Sequence, residues 1–285
     1  MTFHTILVHV DDSAHAVQRM AVAASLARST GAHLVGMAPT GISRFLYESM
    51  PPENSDPTLA LHLDMLRAQA RGALDAFSAQ CAAAELPSYE ARILDDEAGA
   101  GLSLQARAAD LVVISQAGPD ARALEADLPP YVITHSGRPV LLVPVAGGAA
   151  SAGRRILVSW DGSREAARAL QLALPLLRDA ELVELAVFDV ASGEHAVADA
   201  LAADPLPWLA RHGVTATLAV HPVQRRFGPQ RKHEVGEALL GRVAALSADL
   251  LVMGAYGHSR FRESILGGVT RTMLATMTVP VLMAH

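Results

Sequence analysis

Short, wholly apolar runs alternate along this chain with longer stretches in which apolar positions recur every three or four residues. Runs such as Ile6-Leu7-Val8 and Leu250-Leu251-Val252-Met253 are apolar at consecutive rather than alternate positions, the pattern of strands buried on both faces of a parallel sheet. The pattern predicts strands over residues 5–10, 33–38, 88–94, 111–115 and 140–143, and again over 155–160, 182–189, 215–220, 250–253 and 281–284. Between them it predicts helices from Ser13 to near Thr30, from Thr58 to Ala84, one ending near Ala108 and a short one before Val140. Further helices start near Ser163, Glu194, Lys232 and Gly268. Pro51, Pro52 and Pro57 mark a loop, since consecutive prolines remove backbone donors. Strands alternating with helices imply an α/β fold with a parallel sheet and right-handed crossovers.

The pattern occurs twice. Ile6-Leu7-Val8-His9-Val10-Asp11-Asp12-Ser13 returns as Ile156-Leu157-Val158-Ser159-Trp160-Asp161-Gly162-Ser163. Ala109-Asp110-Leu111-Val112-Val113-Ile114 returns as Ala248-Asp249-Leu250-Leu251-Val252-Met253, and Arg138-Pro139-Val140-Leu141-Leu142 as Val279-Pro280-Val281-Leu282-Met283. Three matches in one order, about 140 to 150 positions apart, indicate tandem duplicated domains rather than a short solenoid repeat. The small, apolar-poor stretch from Ala146 to Gly153 has the composition of a linker, so the expected domains are 1–146 and 153–285.

One stretch carries the candidate chemistry. After the strand ending at Met253 come Gly254-Ala255-Tyr256-Gly257, nine further residues, and Gly267-Gly268 opening a helix. A strand ending in Gly-x-x-Gly can turn sharply, present backbone N–H groups and admit a ligand where a Cβ would block it. The N-terminus of the following helix favours an anion through its unpaired N–H groups and dipole. Both surfaces lie at the carboxyl edge of the sheet, where open α/β folds bind ligands. The bland alternative is two glycine-containing turns that bind nothing.

The spacing Gly-x2-Gly-x9-Gly over Gly254, Gly257 and Gly267 resembles the ATP-binding branch of the universal stress protein family. The family pattern continues with Ser, Thr or Asn. Here that position is Gly268, which lacks the hydroxyl and keeps the N–H. The resemblance implies two five-stranded parallel sheets in strand order 3-2-1-4-5, with helices on both faces. It also implies that the two repeats pair around a pseudo-twofold axis, one chain resembling a family dimer that further chains could join. For the second repeat it implies binding of ATP or a related adenine nucleotide, with Mg²⁺ carried by the nucleotide. The implied site is Ser159, Asp161, Val187, Met253, Gly254, Gly257, Gly267 and Gly268. Asp161 would contact the nucleoside or its metal ion, the Val187 backbone would meet adenine, and Met253 and Gly254 would flank the ribose. Read from the residues alone, Asp161 equally caps the helix beginning near Ser163, and Val187 is equally ordinary core.

The first repeat departs at the same place. Its loop reads Ser115-Gln116-Ala117-Gly118-Pro119, with no Gly-Gly opening the next helix and with Glu125 and Asp127 where phosphates would lie. Negative charge there repels phosphate, so the first domain is expected to bind no ATP and to act as a structural or regulatory partner.

Composition narrows the classes. The chain has 285 residues, enough for about two domains. Its net charge of −6 provides no concentrated positive surface for nucleic acid. No apolar stretch reaches the roughly 18 to 20 residues of a spanning helix, and the N-terminus meets Asp11 and Asp12 too early for a signal peptide; the expected location is cytoplasmic. Cys81 is the only cysteine, which excludes an internal disulfide. His233-Glu234 lacks the second His of a zinc-protease helix, and neither a Gly-x-Ser-x-Gly elbow nor a Walker-type phosphate loop occurs.

Arg260 in the loop either pairs with a phosphate or is solvated. His258 beside it has no acid–base partner nearby in sequence. No catalytic residue is assigned. The leading expectation is a nucleotide-binding sensor or switch of the stress response rather than an enzyme. The alternatives are a nucleotide-free interaction module, favoured by Gly268, and a slow adenine-nucleotide hydrolase.

Overall fold

The computed structural model describes residues 2–43, 57–118, 120–121, 123–147, 152–189, 204–222, 231–257 and 268–285. Contacts divide the chain into two compact units, Phe3–Val140 and Met1–Thr2 with Leu141–His285. That division falls inside the fifth strand.

The first half contains β1 (Thr5–His9), α1 (Ala16–Thr30), β2 (His33–Pro39), α2 (Pro57–Ala83), β3 (Tyr89–Leu94), α3 (Ala98–Gln105), β4 (Leu111–Ser115), α4 (Ala123–His135) and β5 (Val140–Val143). Its strands lie in the order β3-β2-β1-β4-β5, and β1 pairs in parallel with both β2 and β4. Consecutive burial along β1, β4 and β5 follows from helices covering both faces of the sheet. β3 is the edge strand and alone keeps exposed positions in its middle. Phe77 of α2 is fully buried on β2, and a Cβ on Gly36 would fall 2.5 Å from its ring. Gly36 therefore sets how closely that helix lies on the sheet. The helix predicted from Ser13 begins at Ala16, because the Asp11 carboxylate holds the backbone N–H and hydroxyl of Ser13 in a turn.

The second half contains β6 (Arg155–Ser159), α5 (Arg164–Leu172), the single turn α6 (Leu174–Leu177), β7 (Leu182–Asp189), α7 (Pro205–Arg211), β8 (Thr217–Pro222), α8 (Arg231–Leu246), β9 (Leu250–Gly254), α9 (Gly268–Thr276) and β10 (Val281–Ala284). The order is again 3-2-1-4-5: β8-β7-β6-β9-β10, with parallel pairing throughout. The eighth strand runs two residues later than the periodicity predicts. The helix expected from Glu194 starts outside the described residues.

The repeated Ala-Asp-Leu motif has a structural cause. Asp110 Oδ2 accepts the backbone N–H groups of His4 and Thr5, and Asp249 accepts those of Gly153, Arg154 and Arg155. Each aspartate satisfies donors at the start of the first strand of its half, where no neighbouring strand yet supplies a carbonyl. Among the described residues, no helix is long and apolar enough to cross a membrane.

Candidate functional site

In the second half β6 stands between β7 and β9. Its crossover to β7 departs on one side while β9 lies on the other. The carboxyl ends of β6 and β9 therefore flank the crevice that open parallel sheets leave at such a switch point. Ser159 ends β6 and Gly254 ends β9, while the register Val158↔Val252 brings Ser159 level with Met253. Val187 lies on β7 one residue beyond Ala186, the partner of Ser159, and is buried, as is Met253. The same strand edge thus carries Ser159, Val187, Met253 and Gly254, with Asp161 two residues past the end of β6. Gly268 opens α9. Gly267, His258, Ser259 and Arg260 lie outside the described residues.

The first turn of α5 shapes this edge. Ser163 caps the helix, its hydroxyl accepting the Ala166 N–H at 3.1 Å. Asp161 instead accepts the Ser163 N–H at 3.0 Å, so the capping alternative falls to Ser163 and the aspartate braces the turn before it. Asp11 makes the same bond to Ser13 in the first half, which is why both repeats carry the Asp-x-Ser pattern.

The glycines serve close approach rather than an unusual turn. Among the described residues of the loop, the left-handed one is Tyr256, at φ 62°, not a glycine. A Cβ on Gly254 would lie 2.6 Å from the Ala166 nitrogen and 2.7 Å from the Glu165 carbonyl carbon, so the backbone of α5 occupies that clearance. At Gly257 the neighbour is the Glu165 carboxylate, whose Oε2 lies 2.9 Å from where a Cβ would stand. Two loop donors have protein partners as well. Ala255 donates to the Ala284 carbonyl, and Tyr256 donates to the Thr270 hydroxyl on α9 at 3.4 Å.

Glu165 is the residue that sequence reasoning missed. An acid in a first helical turn is commonplace, and nothing in the periodicity separates it from a solvated one. Here it is 4% exposed. Burial pushes its pKa up, but the Arg164 guanidinium at 2.5 Å, its own backbone N–H and the nearby Arg164 and His285 charges outweigh that, and the carboxyl is held below the usual range. The Tyr256 hydroxyl is also buried, without a hydrogen-bond partner among the described residues, and burial pushes its pKa up to about 12. Its ring meets His285 edge-on at 6.1 Å.

The equivalent edge of the first half is filled by the chain itself. Arg19, 1% exposed, donates to the His9 carbonyl at 2.6 Å, the Ser115 hydroxyl at 2.8 Å and the Asp11 carboxylate at 2.9 Å. Ser115 holds the position of Gly254, and its hydroxyl is what anchors the guanidinium. Glu125 and Asp127, expected to repel phosphate there, are exposed on α4. Among the described residues no group of three or more His, Cys, Asp or Glu side chains gathers as a metal site.

Residues 153–285 match the model of the universal stress protein family. No curated protein matches the chain. A universal stress protein from Archaeoglobus fulgidus DSM 4304 is similar over 98% of this chain and 97% of its own, at TM-score 0.70 and 14% identity. A functionally unknown protein, PA1789 from Pseudomonas aeruginosa PAO1, covers 99% of this chain and 92% of its own at TM-score 0.59 and 16% identity. These likenesses are of fold and extend over both halves, whereas the family match falls on the half that keeps the glycine loop. Residues 153–285 therefore form a domain of the universal stress protein family.

Proposed function

We propose that the second half, residues 153–285, binds ATP or a related adenine nucleotide and serves the stress response as a sensor or switch in the cytoplasm. The observation that carries this reading is the convergence on one strand edge of Asp161, the Gly254–Gly257 loop and the start of α9, joined by the Tyr256–Thr270 hydrogen bond. The nucleoside would rest on the ends of β6, β7 and β9, at Ser159, Val187 and Met253. The phosphates would take backbone donors from Gly257, Gly267 and Gly268, and Mg²⁺ would enter with them. Gly254 fits this scheme only as a spacer, because α5 fills its clearance. The first half, residues 1–146, binds no nucleotide in this reading, since Arg19 fills the corresponding edge. A nucleotide-free interaction module is the second reading, and the buried Glu165 carboxylate beside Gly257 is the observation that favours it.

Titration of the purified protein with ATP and Mg²⁺ by calorimetry tests the assignment, with Gly257→Val as the control. Its side chain would enter the space between the loop and Glu165, and a binding loss of at least about 100-fold with an unchanged far-ultraviolet spectrum is expected. Undiminished affinity in the variant would remove the loop from the site. No binding by the parent protein would leave the interaction module.

A further inference from the structure

The Glu165 carboxylate stands where the proposed site would receive its most negative group. Its Oε2 is 2.9 Å from the Cβ position of Gly257, and the Ser163 hydroxyl is 3.5 Å from the same point. The side chain is 5% exposed and paired on one oxygen with Arg164, whose own side chain is 68% exposed. A carboxylate so placed has little room to retreat behind water, and its counter-ion reaches it from the solvent side. A phosphoryl oxygen received at Gly257 would meet this carboxylate within a few ångströms. Like charges at that separation repel, and the buried carboxylate has little water of its own to screen it.

We infer that Glu165 is a specificity-determining residue that selects by charge: it rejects a free polyphosphate at Gly257 and admits one whose charge a divalent cation has neutralised. This inference rests on the nucleotide reading above and adds a selection rule to it. The position aligned with Glu165 in the first half is His15, whose ring nitrogen lies 3.9 Å from the Cβ position of Gly118. The two halves therefore place different side chains, an imidazole and a carboxylate, against the same loop glycine. The Arg164 guanidinium moderates the rejection, so the two neighbours should act in opposite directions.

The test compares adenosine, ATP with a chelator, and ATP with Mg²⁺, each titrated calorimetrically into the parent protein, Glu165→Gln and Arg164→Ala. Glu165→Gln keeps shape and should tighten chelated ATP by at least about tenfold, while adenosine and Mg²⁺-ATP change less than about threefold. Arg164→Ala alters an exposed residue, threatens folding least, and should weaken chelated ATP further. Equal affinity for chelated ATP in all three proteins, with adenosine and Mg²⁺-ATP still bound, overturns the selection rule and leaves the nucleotide reading standing. Binding of none of the three ligands by the parent protein overturns both.

Discussion

At the scale of single residues, the two halves differ in which charge they bury. In the first, Arg19 is held by the His9 carbonyl, Ser115 and Asp11, and the His9 ring is buried beside them. Burial, and then the Arg19 charge, lower the His9 pKa from 6.5 to about 4, so the ring is neutral. Its Nδ1 lies 3.6 Å from the Asp11 carboxylate, too far for a hydrogen bond, and has no hydrogen-bond partner among the described residues. Asp11 is also depressed: burial opposes its charge, but the Arg19 charge, the His9 ring once it protonates at low pH, and the bonds from Ser13 and Arg19 outweigh that. Both groups bind protons more readily unfolded than folded, so both contribute stability that is lost as pH falls. For His9 the loss runs from 6.5 down to about 4, where the folded ring begins to protonate. For Asp11 it begins near the ordinary carboxylate value of about 4 and continues below it. The expected result is a denaturant midpoint that declines in two successive stages on acidification. His9→Asn should remove the upper stage and Asp11→Asn the lower. A midpoint flat between pH 4 and 6.5 would contradict the burial of a neutral His9.

At the scale of elements, the position of α9 relative to the glycine loop depends on a helix–helix contact outside that loop. Gly236 of α8 is buried, and a Cβ there would lie 2.7 Å from the Thr272 methyl carbon of α9. Thr272 is buried in turn, and its hydroxyl donates to the Gly268 carbonyl in the first turn of the same helix. The absent side chain lets α9 lie close, and that closeness holds the Thr270 hydroxyl against the Tyr256 N–H. Gly236→Leu should force α9 outward, costing about 1 to 3 kcal/mol through overpacking and weakening Mg²⁺-ATP binding without touching the loop. Thermal unfolding together with calorimetry would read both effects. Full affinity in a destabilised variant would separate helix placement from binding.

At the scale of the whole molecule, duplication has produced one half with a loop that retains its glycines and another whose equivalent edge is closed by the buried Arg19 guanidinium and its half-buried partner Asp11. Truncating Arg19 would not restore the first half, because it would leave the His9 carbonyl and the Asp11 carboxylate without the donor that satisfies them. The full chain should therefore bind one nucleotide per molecule, not two. A calorimetric stoichiometry of two would show that Arg19 leaves its partners when ligand arrives.

The strands, their order of appearance, the duplication and the family resemblance were legible in the sequence, because consecutive apolar runs and repeated motifs are written in linear order. Helix limits were legible to within a few residues; where they shifted, as at Ser13, a side chain had captured the backbone. The glycine spacing identified the loop, but not what each glycine is for: Gly254 clears the backbone of α5 and Gly257 faces Glu165, residues about ninety positions away. Only the tertiary structure could decide this, because a glycine records that something comes close and not what. For the same reason, Arg19 and Glu165 read as ordinary helix residues until the fold buried them, since the cost of a charge depends on the solvent around it and not on its neighbours in the chain.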